Sequence, residues 1–283
     1  MSFSAGRGQQ ADLDVILASS GVRAPCFIGG LKAIQEKGYR IERIAGTSGG
    51  AIIAAGFALG HSIEEMYGRA QTIPYDNFKD FGITNLLSLK NPSVYTGRSL
   101  DEYYQSLYGD ATLKDFKIDC RISVVSIVGR KRHILTRDSH PDLPVWKAVR
   151  MSSTIPFIFP WYDLDGEPVT DGALVTGMFD MFPDSPRPVI SLRPRSDHFI
   201  KRKIQDVQAS NTLLWSYLKI IAEYFMDAVD SQHVPDNEWS RTVIIPTFEI
   251  GGFNFNLEQE DVERLVQYGF NAVIISNLLP YVK

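Results

Sequence analysis

Five residues carry the sharpest chemical signal in the chain: Gly46-Thr47-Ser48-Gly49-Gly50, a G-x-S-x-G string. A run with strand character, Ile41 to Ala45, precedes it, and a small-residue helical pattern, Gly50 to Leu59, follows. That order puts Ser48 on a tight strand-to-helix turn with its hydroxyl projecting from the backbone. The flanking glycines remove side chains that would crowd the turn. The helix behind it directs unpaired amides and its positive dipole end toward the same spot. Such a turn suits a nucleophilic serine. A plain glycine turn before a helix is the alternative, because a string this short arises by chance in about one chain in ten at ordinary Gly and Ser frequencies.

A serine that attacks an acyl carbonyl needs backbone donors aimed at the developing oxyanion. A second turn, Ser19-Ser20-Gly21-Val22-Arg23-Ala24, follows a predicted strand at Leu13 to Ala18 and leads into a helix at Pro25. In a parallel sheet it lies at the same carboxyl edge as Ser48. Amides near Gly21 and Val22 can therefore face the serine, or the turn is an ordinary strand-to-helix loop. The nucleophile also needs a base. None of the five histidines, His61, His133, His140, His198 and His233, sits in a partner motif. Asp171, in Val169-Thr170-Asp171-Gly172-Ala173, stands out, with Gly172 allowing backbone to approach behind it. An unperturbed Asp, with a pKa of ~3.9, is a poor proton acceptor at neutral pH. Burial beside the serine raises that value and makes a direct Ser-Asp dyad workable. From spacing alone, Asp171 reads equally well as a turn cap.

The elements that must position these residues are legible as alternation. Strand, turn and helix repeat twice between Leu13 and Leu59, which predicts parallel strands with helices packed on them. A short helix over Ser62 to Ala70 has Ser62 as its N-cap. Thr72 to Tyr95 is an irregular excursion, and Ser99 to Tyr108 is helical. Asp119 to Val128 is a strong strand with a hairpin partner at His133 to Thr136. A helix over Val145 to Met151 leads to an extended stretch at Ile155 to Phe159. Tyr162 to Val169 is a hairpin turning at Asp165-Gly166. Val189 to Arg193 and Thr242 to Pro246 are strands, Asn211 to Val229 is a long helix, and Gln259 to Leu279 contains another.

The chain has 283 residues, enough for one large α/β unit, and no low-complexity linker divides it. Residues 1–11 form a polar, flexible N-terminus without the apolar stretch of a signal peptide, and 12–283 form the single domain. A net charge of −4 provides no basic field for nucleic acid. Cys26 and Cys120 lie in apolar surroundings and are expected as buried free thiols, in keeping with a cytoplasmic chain. No Cys, His or carboxylate spacing suggests a metal site.

Taken together, these stretches resemble the patatin-like phospholipase family from roughly Leu13 to Leu279. The family's S-G-G-G-x-R-G loop and I-G-V-L-K helix are matched by Ala18 to Ala24 and by Ile28-Gly29-Gly30-Leu31-Lys32. Its G-T-S-x-G motif is matched by Gly46 to Gly50, and its W-x-A-V-x-A-S-x-x-I-P-x-x-F-P block by Trp146 to Pro160. Its D-G-A variant is Asp171-Gly172-Ala173. Four motifs in order are far more specific than any one. The resemblance implies a three-layer α/β/α fold with a mostly parallel sheet. It implies hydrolysis of acyl-ester lipids such as phospholipids, without metal or cofactor, by Ser48 as nucleophile and Asp171 as proton acceptor. Amides of Ser20, Gly21 and Val22 would hold the oxyanion, joined by Gly49 by analogy with other serine elbows. Arg23, Gly46, Gly50 and Gly172 would support the motifs.

The chain departs from the family at Ser19, Ser20 and Ala24, where glycines are usual. A left-handed backbone at any of these would cost about 1–2 kcal/mol. Thr176-Gly177 replaces a stretch where the family commonly has asparagine. Two alternatives are compatible with the same residues: a soluble short-chain esterase or thioesterase, and a non-catalytic acyl-lipid-binding protein with an impaired oxyanion loop. An apolar stripe from Leu213 to Phe225, the basic run Lys201-Arg202-Lys203, and Phe78, Phe81, Leu86 and Leu87 in the excursion are places where a lipid surface could be met. Export by a dedicated secretion system would be compatible with the same sequence.

Overall fold

Leu13 to Leu17 is an apolar run interrupted only by Asp14, the pattern of a strand covered on both faces. The computed structural model describes residues 11–82, 85, 88, 90–175, 177–196, 236–252 and 254–282. In it β1 (Ala11–Leu17) lies inside an eight-stranded mixed sheet. Its neighbours are β2 (Tyr39–Thr47) and β7 (Val189–Ser196), and β3 (Asp119–Ser126) and β8 (Thr242–Phe248) flank these. These five strands are parallel. The antiparallel part is β4 (Lys131–Leu135) and β6 (Glu167–Asp171), both on β3, with β5 (Tyr162–Leu164) on β6.

The register around β3 decides where the site forms. β2 runs beside β3 as far as Thr47, which lies opposite Ser123. β4 also pairs with Ile122 and Ser123, so it occupies the other edge. β6 pairs with Val124, Val125 and Ser126, where β4 already fills that other edge, so β6 must lie on the β2 side. Two strands therefore approach head-on along one edge of β3. One ends at Thr47 opposite Ser123, the other at Asp171 opposite Val124.

The helices are α1 (Pro25–Glu36), α2 (Gly49–Leu59), α3 (Ile63–Ala70), α4 (Arg98–Tyr108), α5 (Val145–Ser152), α6 (Asp236–Trp239) and α7 (Gln259–Ile275). Side chains of α1 to α5 and α7 share one apolar core with Leu13, Val15, Leu17, Ile44 and Ile122. The opposite sheet face, bearing Ile16 and Ala45, is covered among the described residues by Phe179, Met181 and Phe182. α1 and α7 cross at near backbone contact. A Cβ on Gly29 would sit 1.8 Å from the Val266 carbonyl oxygen, and one on Gly269 would sit 1.7 Å from that of Cys26. Ser62 caps α3 through a reciprocal pair: Glu65 N–H donates to Ser62 Oγ at 3.1 Å, and Ser62 N–H to Glu65 Oε2 at 2.7 Å.

Cys26 and Cys120 are buried and free. The extended stretch expected at Ile155 to Phe159 is instead a turn, closed by Ile158 N–H and Phe159 N–H donating to Ile155 O at 3.2 and 3.1 Å. It is stapled from outside by Val94 N–H to Phe157 O at 2.8 Å and Tyr95 N–H to Ile158 O at 2.9 Å. The Asn211 to Val229 helix with its apolar stripe, Lys201 to Lys203, Leu86, Leu87, Thr176 and residues 1–10 lie outside the described residues. No helix among the described residues is long and apolar enough to cross a membrane.

Candidate active site

β2 leaves the sheet at Ser48, whose backbone takes φ 54° and ψ −125° before α2 begins. A positive φ at a non-glycine residue costs on the order of 1–3 kcal/mol and persists only where the surroundings impose it. Here they do. Ser48 N–H donates to Ser152 Oγ at 3.0 Å, and Ser152 Oγ donates to Ser123 O at 2.7 Å. Ala51 N–H returns to Ser48 O at 2.9 Å. The neighbouring glycines are a matter of space. A Cβ on Gly46 would meet Gly50 O at 2.5 Å, and one on Gly50 would meet Leu17 O at 2.3 Å. Ser152 lies in the quoted Trp146 to Pro160 block, yet its role in holding the turn could not be read there.

Asp171 ends β6 fully buried. Its N–H donates to Thr154 O at 2.9 Å, and its Oδ1 accepts from Ala173 N–H at 2.8 Å. Its Oδ2 meets no partner at hydrogen-bond geometry among the described residues. The Ser48 hydroxyl lies near enough to favour the ionised form, although the contact falls short of a well-formed hydrogen bond. Burial pushes the carboxyl up from 3.8 to about 7, partly opposed by Ser48 and the Ala173 amide. Gly172 is required by proximity, since a Cβ there would sit 2.4 Å from Ser123 O. The carboxyl is therefore desolvated, half-partnered and turned toward Ser48. Arg150, which the motif reading left without a role, supports this from below. Its buried guanidinium donates to Thr154 Oγ1 at 2.7 Å and lies over the Phe159 ring.

The turn at Ser19 to Ala24 does reach Ser48. A Cβ on Gly49 would sit 2.2 Å from Ser20 Oγ and 3.3 Å from Gly21 N. Of its residues only Gly21 is left-handed, at φ 55°; Ser20 has φ −139° and Ala24 φ −46°. The serine and alanine departures therefore carry no left-handed penalty. Gly21 could not be replaced, because a Cβ there would meet Gly252 O at 2.1 Å. Val22 N–H, expected as an oxyanion donor, is engaged elsewhere: it donates to Gly252 O at 3.0 Å. No described residue accepts from Gly21 N–H or Gly49 N–H. Arg23 braces the turn, its Nε donating to Ser20 O at 3.0 Å.

Ser48, Gly21 and Gly49 open into a cleft of about 970 Å³, part of it open to solvent. Its walls are mainly apolar, including Ile52, Ile53, Phe78, Leu100 and Ile155. Tyrosines contribute their rings while their hydroxyls are held by protein atoms, Tyr108 by Ile52 O at 2.8 Å and Tyr104 by Ser153 Oγ at 3.2 Å. One histidine does line the cleft, His61. Its Nδ1 lies 3.4 Å from Arg69 Nη1, and burial followed by Arg69 lowers its pKa. Among the described residues, no group of three or more His, Cys, Asp or Glu side chains could hold a metal ion.

The model of patatin-like phospholipases matches residues 15–181, a span that contains both turns and Asp171. The chain belongs to the patatin-like phospholipase family. Family membership places it among lipid hydrolases in general. It is similar to the uncharacterized protein YqhO of Bacillus subtilis, at 25% identity over 91% of this chain and 95% of that one. It is similar to the lysophospholipase nte1 of Emericella nidulans, at 25% identity over 58% of this chain, but spans only 10% of the length of that relative. In fold it is similar to VipD of Legionella pneumophila, with a TM-score of 0.60 and 14% identity over 96% of this chain and 67% of that one.

Proposed function

We propose that this patatin-like chain is a serine acyl hydrolase that cleaves carboxyl esters of lipids, a reaction of the phospholipase A or lysophospholipase type, through a Ser48–Asp171 dyad. The observation that carries the reading is the head-on approach of β2 and β6. It sets a buried carboxyl of pKa about 7 against a strained serine at the mouth of an apolar cleft. A carboxylate with that pKa can take a hydroxyl proton at neutral pH, as its ordinary value of 3.8 would not allow. Asp171 Oδ2 accepts the Ser48 proton as Oγ attacks the ester carbonyl. Gly21 N–H and Gly49 N–H receive the oxyanion. Asp171 then returns the proton to the leaving alcohol, and the acyl group stays on Ser48. Water, deprotonated by Asp171, releases the fatty acid.

The apolar lining of the cleft supports a lipid acyl chain, and the substrate would be met at the surface of a micelle or membrane. Ser48→Ala and Asp171→Asn are each expected to lower kcat on mixed-micelle phospholipid at least ~10³-fold while leaving the circular dichroism spectrum intact. Full activity in either variant removes the dyad. A chain-length series on nitrophenyl esters separates the lipid hydrolase from a short-chain esterase. Fluorophosphonate labelling of Ser48 separates both from a binding protein.

A further inference from the structure

A second apolar cavity, of about 1040 Å³ with part of it open to solvent, lies behind the wall that carries Ser153 and Ile155. The two cavities share Phe159. Along the segment that leads to it, Ser153 and Ile155 line the cleft at Ser48, whereas Thr154 and Pro156 line the second cavity. β6 divides its side chains in the same way. Asp171 turns toward Ser48, and the preceding Thr170 lines the second cavity. One thickness of backbone therefore separates the two spaces.

The second cavity offers almost nothing polar to a ligand. Thr170 Oγ1 is spent on Thr154 O at 2.6 Å, Thr154 Oγ1 is held by Arg150 at 2.7 Å, and Ser126 Oγ accepts from Gly129 N–H at 2.8 Å. Among the described lining residues the only charged one is Arg130. Phe157 stands half-exposed at its edge with φ 65°, on the turn that Val94 and Tyr95 staple in place. The wall is thus a partition between two apolar spaces.

We infer that the second cavity holds the second acyl chain of a diacyl glycerolipid whose first chain lies in the cleft at Ser48. The inference rests on the acyl hydrolase reading and names its substrate class. The two ester-linked chains of such a lipid leave adjacent carbons, so they can straddle a partition one chain thick at its rim. A single-chain lipid fills the first space only. Methylenes buried in the second leave water, so a diacyl substrate gains binding that its lyso counterpart lacks.

Val175→Phe, which narrows the second cavity without touching Ser48 or Asp171, tests this. The ratio of kcat/KM for a diacyl phosphatidylcholine to that for the matching lysophosphatidylcholine is expected to fall at least tenfold. An unchanged ratio, whether both values hold or both fall together, overturns the inference. Trp161 lines the cavity and gives a second readout that needs no turnover. In Ser48→Ala, a short-chain diacyl phosphatidylcholine brominated at its chain ends, kept monomeric, should quench fluorescence that is lost in Ser48→Ala/Trp161→Phe. Absence of that quenching overturns the inference. If the unmodified protein hydrolyses neither lipid, the acyl hydrolase reading fails, and the quenching still decides whether the cavity takes a chain.

Discussion

At the scale of the residue, the site depends on one carboxyl with an unusual proton affinity. Burial holds Asp171 near 7, so the fraction able to accept the Ser48 proton falls tenfold per unit below that pH. The pH profile of kcat/KM on a nitrophenyl ester should rise with unit slope to about pH 7 and then flatten. A limb near 4 would mean that the base is a carboxyl whose pKa burial has not raised. Ser152 is the second residue on which the geometry hangs, because its hydroxyl links Ser48 N–H to Ser123 O. Ser152→Ala leaves a buried amide unpaired, at a cost of about 1–3 kcal/mol. Urea denaturation should show that loss, and kcat should fall more than KM rises, because the nucleophile is misplaced while the cleft is intact.

At the scale of the element, the Ser48 turn was legible because its signal is local: glycines, a strand before and a helix after. Asp171 as a partner was not legible from spacing, because what brings it to Ser48 is the pairing of β6 with the free end of one edge of β3. Spacing left Asp171 evenly between a base and a turn cap, and the family resemblance favoured the base. Val22 was misread for a related reason. Its amide is taken by Gly252, far along the chain, and no local pattern announces so distant an acceptor. The turn at Ile155 to Phe159 was read as extended because Pro156 within it and Pro160 after it favour that state, and the bonds from Val94 and Tyr95 overrode the preference. Helix packing adds a prediction at this scale. α1 begins where the oxyanion turn ends, and its position is fixed by backbone contact with α7 at Gly29 and Gly269. Gly269→Val should push the helices apart, cost about 3 kcal/mol or more, and lower the urea midpoint accordingly.

At the scale of the whole molecule, the same carboxyl couples activity to stability. Its pKa is about 7 when folded and near the ordinary 3.8 when unfolded, so the folded state binds the proton more tightly. The stabilising contribution is complete below pH 3.8, declines as pH rises, and is lost above about 7, a total of about 4 kcal/mol. Asp171→Asn removes the buried charge and keeps the shape. It should be more stable than the unmodified protein at pH 8, by up to about 4 kcal/mol, and nearly equal to it at pH 4. Urea denaturation at the two pH values measures the difference. An equal offset at both would show that folding does not raise the Asp171 pKa.

The head-on meeting of β2 and β6 also bears on how the protein loses function. Ser48 is anchored deep in the parallel sheet, whereas Asp171 rides on a short hairpin that grips β3 at only three positions, Val124 to Ser126. Local opening is easiest where few bonds must break together. The proposed catalytic pair is thus a seam between a part of the molecule held in the parallel sheet and one held by a short hairpin. On warming, the hairpin end is expected to part first, so that the proposed hydrolysis should fail while circular dichroism still reports most of the structure, and should return when the strand settles back.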